Sequence, residues 1–275
     1  MYPLVTIPDA MLPFREYTHI DLCVSGGNDS TAMVLSLLHE YKAPKETMRL
    51  IHFRIDGPNE NPVFFDWEET DSHLQYLSDF FDIPLVTIWD EKGLKTRIEE
   101  RGMFPDSMNR FCTSYGKRDC YTKYVRRRRG NGTKTLCCSG ELASESNKRS
   151  TYPAFQVHPA SATKKMNRLV HTFRPVLHFQ KQSVRAIMQE HGVKEHACYQ
   201  YVSRCSCRFC IFLKKSELRT VAQLFPDQFS ELKSMEKRMG HTMRFINGQR
   251  VPLSEFVGEN RSVQTIDLFT MNCCG

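Results

Sequence analysis

Short apolar runs alternate with amphipathic stretches along the chain as far as about residue 180. Ile20 to Val24 reads as a buried strand, and a helical pattern follows from about Asp29 to Tyr41, where Met33/Leu37 and Val34/Leu38 form apolar pairs at i,i+4. Met48 to Ile55 predicts a second strand, with Asp56-Gly57-Pro58-Asn59-Glu60-Asn61-Pro62 as the loop after it. A helix from about Phe65 to Phe81 leads into the strand Pro84 to Trp89. Helices over Gly93 to Arg101 and Tyr115 to Arg129, and strands over Thr133 to Ser139 and Arg168 to Val176, complete the alternation. Strands separated by helices predict an α/β fold, a doubly wound parallel sheet with helices on both faces. Beyond about Lys181 the pattern turns helical: Gln182 to His191, Ser216 to Leu224, and Pro226 to about Met239, the last opening on Pro and stopping at Gly240. The expected organisation is a sheet domain over 1–180 and a C-terminal helical module over 181–275, with Ser146 to Asn167 as the loosest stretch.

Composition narrows the class. At 275 residues, 40% hydrophobic and 25% charged, the chain can bury a full core, and no apolar run reaches membrane-span length. Met1 to Phe14 lacks a basic region followed by an apolar stretch, so a cytoplasmic protein with no membrane partner is expected. The cysteines number 11, an odd count that excludes complete pairing and implies thiols. Cys23, Cys137 and Cys138 lie in predicted strands and read as core residues. The net charge of +7 suits polyanionic partners but also small phosphorylated ligands.

The first candidate chemistry lies between the first strand and its helix, at Ser25-Gly26-Gly27-Asn28-Asp29-Ser30-Thr31. Glycines let backbone N–H groups approach an anion, and a helix N-terminus adds unpaired donors and positive partial charge. No lysine follows the glycines, unlike a Walker loop. The string resembles the S-G-G-x-D-S signature of the PP-loop ATP pyrophosphatases, which cleave ATP between the α and β phosphates.

Three further stretches extend that resemblance in family order, towards the phosphoadenosine phosphosulfate (PAPS) reductases and the DndC-type DNA phosphorothioation proteins. Arg110-Phe111-Cys112-Thr113 with Lys117 is similar to R-x-C-T-x-x-x-K. Gly140-Glu141-Leu142-Ala143-Ser144-Glu145-Ser146 with Arg149 is similar to G-x-R-x-x-E-S-x-x-R, with Leu142 where the family has arginine. Tyr199 to Cys210 resembles Y…S-R-x-G-C-x-x-C, with Ser206 where the family has glycine.

The resemblance implies an adenine nucleotide alpha hydrolase-like, Rossmann-like fold and an ATP-dependent adenylating enzyme coupled to sulfur transfer, on DNA or RNA in the DndC-like version. A sulfur-donor protein such as a cysteine desulfurase would then be a partner. The full loop favours ATP chemistry, since the reductases generally lack it. A PAPS or adenylylsulfate reductase, or a nucleotide-binding iron-sulfur regulator or scaffold, are the alternatives. The resemblance implies that the loop residues, from Ser25 through Thr31, cradle phosphate, and that Asp29 helps to hold Mg²⁺; an Asp capping its own helix needs no metal. Arg110, Lys117, Arg149 and Arg174 are candidate anion ligands, joined by Gly140, Glu145 and Ser146 of the second motif. Asp56-Gly57 resembles the family's T-G turn and either meets adenosine or only turns the chain. Cys112 is either a nucleophilic thiol in an electropositive setting or a buried structural residue.

Cys198, Cys205, Cys207 and Cys210 form the second candidate site. Cys198-x8-Cys207-x2-Cys210 resembles DndC-type iron-sulfur spacing, and four thiolates in a short segment suit [4Fe-4S] or tetrahedral zinc. The family's further cysteine is Ser216 here, so Cys205, Cys112 or Cys273/Cys274 completes the set. Arg126 to Arg129 are four consecutive arginines, which either complement the helix dipole or mark a nucleic-acid footprint.

Overall fold

The computed structural model describes residues 2–128 and 132–258, without the side chain of Lys165. The predicted strands are present as β1 (His19–Val24), β2 (Met48–Arg54), β3 (Leu85–Trp89) and β4 (Lys134–Ser139), followed by β5 (Phe155–Val157) and β6 (Leu169–Phe173). They form one sheet in the order β3-β2-β1-β4-β6-β5. Every pairing is parallel except that of β5 with β6. The doubly wound α/β class is thus observed, with an antiparallel edge strand inside the stretch expected to be loose. Ile20, Leu22 and Val24 of β1 are buried on one face and Asp21 on the other, as a central strand covered on both faces requires.

The helices between strands are α1 (Asn28–Leu35), α2 (Thr70–Phe81), α3 (Gly93–Arg101), α4 (Phe111–Thr113) and α5 (Cys120–Arg127). Short turns α6 (Asn147–Ser150) and α7 (Thr163–Met166) flank β5, and α8 (Lys181–Glu190) follows β6. The helical path from α1 continues as a π turn over Ser36–Glu40, and another π turn, Ser114–Asp119, precedes α5. The first falls inside, and the second overlaps the start of, a stretch predicted as uninterrupted α-helix, because apolar periodicity does not distinguish i→i+4 from i→i+5 bonding. α1 is buried nearly all round, and Val184, Ile187 and Met188 of α8 join its core cluster. Burial of each such side chain contributes roughly 1.5–3 kcal/mol.

Asp21 is a buried charge in the central strand. It accepts hydrogen bonds from Tyr121 Oη at 2.7 Å and Arg128 Nη2 at 2.6 Å, so its charge is paired and its lone pairs are used. Arg128 therefore belongs to a buried ion pair, which takes it out of the arginine run read as a helix-dipole complement or a nucleic-acid footprint. Arg126 and Arg127 are exposed, whereas Arg129 lies outside the described residues.

The chain divides into two compact units. The first holds the described residues up to Arg97 and Arg110–Cys210; the second holds Ile98–Asn109 and the described residues from Ile211. The division falls after Cys210, so α8 and the cysteine segment belong to the sheet unit. In the second unit α9 (Lys215–Leu224), α10 (Pro226–Met239) and α11 (Leu253–Val257) accompany a hairpin of β7 (Arg244–Ile246) and β8 (Gln249–Val251). Its turn, Asn247-Gly248, has both residues at positive φ, as a two-residue hairpin turn demands. Buried Glu236 accepts from the Met243 and Leu253 amides at 2.8 and 2.9 Å and ties the hairpin and α11 to α10.

Candidate active site

The chain leaves β1 at Val24 and turns at once into the loop. Gly26 has φ +78°, a conformation that strains other residues, and Gly27 stands at the N-cap of α1. The side chains of Ser30 and Thr31 fold back on the loop, donating to the Gly27 carbonyl at 2.8 and 3.2 Å, while the Ser25 amide donates to Ser30 Oγ at 3.4 Å. Gly140, immediately after β4, lies under this junction: a Cβ there would come within 2.5 Å of the Asp29 carbonyl oxygen. The sheet order places β1 between β2, reached through α1, and β4 on the other side. The loop therefore sits at the carboxyl edge beside the point where strand order reverses, where open α/β sheets bind ligands.

A segment of the same unit covers the loop. The Asn28 amide donates to Tyr199 Oη at 3.0 Å, and its side-chain amide donates to Glu195. Cys205 Sγ donates to the Ser25 carbonyl at 3.5 Å. Asp29 is gripped by Lys181, whose Nζ lies 2.8 and 2.6 Å from the two carboxylate oxygens. Lys181 and Glu195 are site residues that sequence reasoning missed, whereas Tyr199 opens the stretch that resembles the family segment. Lys181 opens α8, far from any motif, and only the fold brings it to Asp29.

Beside the loop lies a charged network on the ends of β4 and β6. Arg174 donates to Glu141 at 2.7 Å, Arg149 pairs with Glu145 and lies 3.9 Å from Glu141, and Arg204 Nε is 4.0 Å from Glu145. Burial and the like charges of Arg204 and Arg110 weigh against the Arg149 charge, while Glu141 supports it, so Arg110 reaches this cluster electrostatically. Ser146 Oγ accepts from the Arg149 amide and caps α6. Leu142 is fully buried in the main core, so the residue in the family's arginine position faces away from solvent and contributes packing.

Asp56 is engaged by its own loop. Its carboxylate accepts from the amides of Phe64, Phe65 and Asp66 at 2.7–2.9 Å, and Asp66 in turn accepts from the Ile55 and Asp56 amides. Burial, and then the Asp66 charge, raise Asp56 to about 6. This knot delays α2 to Thr70, several residues beyond the predicted start. Gly57, at φ +96°, packs against Gly93, where a Cβ would meet the Asp56 carbonyl oxygen at 2.3 Å.

The four cysteines fall into two neighbourhoods. His196, Cys198 and Cys205 have ligand atoms that all lie within 4.8 Å of one another. Burial pushes Cys207 well up, and its charged neighbours are Cys210, Lys117, Asp66 and Cys112 rather than the first group. Burial pushes Cys112 up, and Lys117 pulls in the other direction with smaller weight, so the electropositive setting expected to expose a thiolate does not prevail. His196 was not among the predicted residues; the His196-x-Cys198 spacing was the available signal. Cys273 and Cys274 lie outside the described residues.

The doubly wound, mostly parallel sheet is the fold class expected from the sequence. No family model matches the sequence. An uncharacterized 37.8 kDa protein of Escherichia phage 186 is 28% identical over 154 residues, which is 55% of this chain and 45% of that one. The match thus spans less than half of that relative's length. Three solved structures are similar to the chain at low identity. A PAPS reductase from Candida auris in a phosphate complex is 12% identical, with a TM-score of 0.44 over 70% of this chain and 85% of that one. The U34-tRNA thiolase NcsA from Methanococcus maripaludis, with its [4Fe-4S] cluster, is 13% identical, with a TM-score of 0.43 over 81% and 73%. The FMN adenylyltransferase of Candida glabrata is 15% identical, with a TM-score of 0.39 over 68% and 53%. Among the described residues no helix is long and apolar enough to cross a membrane.

Proposed function

We propose that the chain is an ATP-dependent enzyme of the PP-loop type, which adenylates an acceptor with release of pyrophosphate and couples this step to sulfur transfer. The observation that carries the reading is the position of Ser25 to Thr31. A glycine turn feeding a helix N-terminus, at the carboxyl edge beside the strand-order reversal, presents amide donors where a polyphosphate would lie. An acceptor oxygen attacks the α phosphorus, the bond to the bridging β oxygen breaks, and pyrophosphate leaves. A sulfur nucleophile then displaces AMP from the adenylated position.

The Gly26 and Gly27 amides and the Ser25 hydroxyl stabilise the leaving charge in this reading, the Ser30 hydroxyl being donated to the Gly27 carbonyl, and Arg110, Arg149 and Arg204 supply positive charge for the α phosphate or the acceptor. Asp29 would hold Mg²⁺, which would supply charge neutralisation for the pyrophosphate. Its release from Lys181 would free that ammonium for the phosphates. Cys207 and Cys210 are the proposed ligands of an iron-sulfur cluster, with a further cysteine to complete the set, and such a cluster would hold or deliver sulfur. A nucleic acid is the proposed acceptor and a cysteine desulfurase the proposed donor.

The test compares two substrates on the full chain. With Mg²⁺ and a dithiol reductant present, pyrophosphate release from ATP is expected and sulfite release from PAPS is not. The reverse pattern would replace the proposal with a reductase, and ATP binding without any turnover would replace it with a regulatory or scaffold role.

A further inference from the structure

We propose that His196, Cys198 and Cys205 form a zinc site of their own, set against the phosphate loop and separate from the Cys207 and Cys210 pair. Two thiolates and one imidazole are a donor set that zinc takes readily, and the ligand atoms already lie within 4.8 Å of one another. His196 and Cys198 are buried, and Cys205 is half-buried, so the ligands are largely withdrawn from water. His196 Nε2 lies 3.2 Å from Thr70 Oγ1, which gives the ring an outer partner, while Nδ1 accepts from the Cys198 amide at 3.0 Å, a hydrogen bond whose place a metal at Nδ1 would take.

A second, independent observation points to the same place. The ring of His73 stands 4.9 Å from that of His196, and its Nε2 is buried with no hydrogen-bond partner. A buried ring nitrogen left unpaired is costly unless something meets it, so His73 marks unmet polar capacity beside the cluster, outside the three residues whose ligand atoms lie within 4.8 Å of one another. The site also abuts the loop: a Cβ on Gly27 would lie 2.8 Å from Cys205 Cβ, and one on Gly26 would lie 3.0 Å from His196 Cδ2. Zinc here would lock the segment that carries Tyr199, the acceptor of the Asn28 amide. The site itself does not depend on the ATP reading.

The experiment uses the full chain, reduced and stripped of metal under anaerobic conditions, titrated with Co²⁺ and then with Zn²⁺. One Co²⁺ per chain is expected, with thiolate charge-transfer absorption and tetrahedral ligand-field bands that Zn²⁺ abolishes. Cys198→Ser and Cys205→Ser should each weaken Co²⁺ binding by more than about tenfold, whereas Cys207→Ser should change it by less than about twofold. Zinc loading should also slow alkylation of Cys198 and Cys205 in the unmutated chain, which keeps the test decisive if a serine variant fails to fold. No stoichiometric metal, a Cys198–Cys205 disulfide under reducing conditions, or a spectrum lost in Cys207→Ser and retained in Cys198→Ser would overturn the site.

Discussion

His52 sits in β2 with its ring out of water. Nδ1 lies 3.3 Å from the Val24 carbonyl, Nε2 has no partner, and burial holds the group at about 4, below its ordinary 6.5. Between those limits the unfolded chain binds a proton that the folded chain refuses. The contribution of His52 is therefore complete above pH 6.5 and is lost as pH falls towards 4, by up to about 3 kcal/mol. Asp56, raised to about 6, acts in the opposite sense over the range from 3.8 to 6, so the variant isolates the histidine. His52→Asn keeps a donor for Val24 and removes the titration. Its denaturation midpoint should fall less than that of the unmutated chain between pH 7 and pH 4.5, and equal falls would refute the assignment.

Among the elements, β4 and α1 meet more closely than a side chain permits. Gly140→Ala would bring its Cβ within 2.5 Å of the Asp29 carbonyl and 2.7 Å of Ser30 Cα, both backbone atoms that cannot swing aside. A stability loss of roughly 1–3 kcal/mol is expected from such overpacking, read as a lower melting temperature; an unchanged melting curve would contradict the packing. The central strands and the loop between β1 and α1 were legible in the sequence because apolar runs and glycine punctuation are local signals. β5 was not legible, since three residues pairing antiparallel at an edge carry no periodicity. Nor was the late start of α2, which depends on carboxylates of Asp56 and Asp66 bonding amides eight to ten residues away. The Asn247-Gly248 hairpin was readable from its dipeptide and lay unread inside a stretch assigned as helical. At the candidate site the loop glycines were readable, whereas Lys181 and the separation of Cys198/Cys205 from Cys207/Cys210 arise from tertiary placement that no spacing encodes.

For the whole molecule, the net charge of +7 raises the question of a polyanionic partner. Arg128 is committed to Asp21, which leaves Arg126 and Arg127 as the exposed described members of the run. If they neutralise phosphates of a nucleic acid, replacing both with Ala should reduce the slope of log affinity against log salt by roughly two units. Binding with an unchanged slope would remove this segment from the interface.

The central claim is that the loop after β1 activates ATP. Its most direct measurement is Mg²⁺-dependent pyrophosphate release from ATP by the full chain and by Asp29→Ala, with folding of the variant checked by circular dichroism. The exposed Lys181 partner makes the substitution mild for the fold, since a solvent-facing ion pair contributes at most about 1 kcal/mol. The account predicts release by the unmutated chain and its loss, by at least about a hundredfold, in a folded Asp29→Ala. Release at the same rate from both proteins would contradict it.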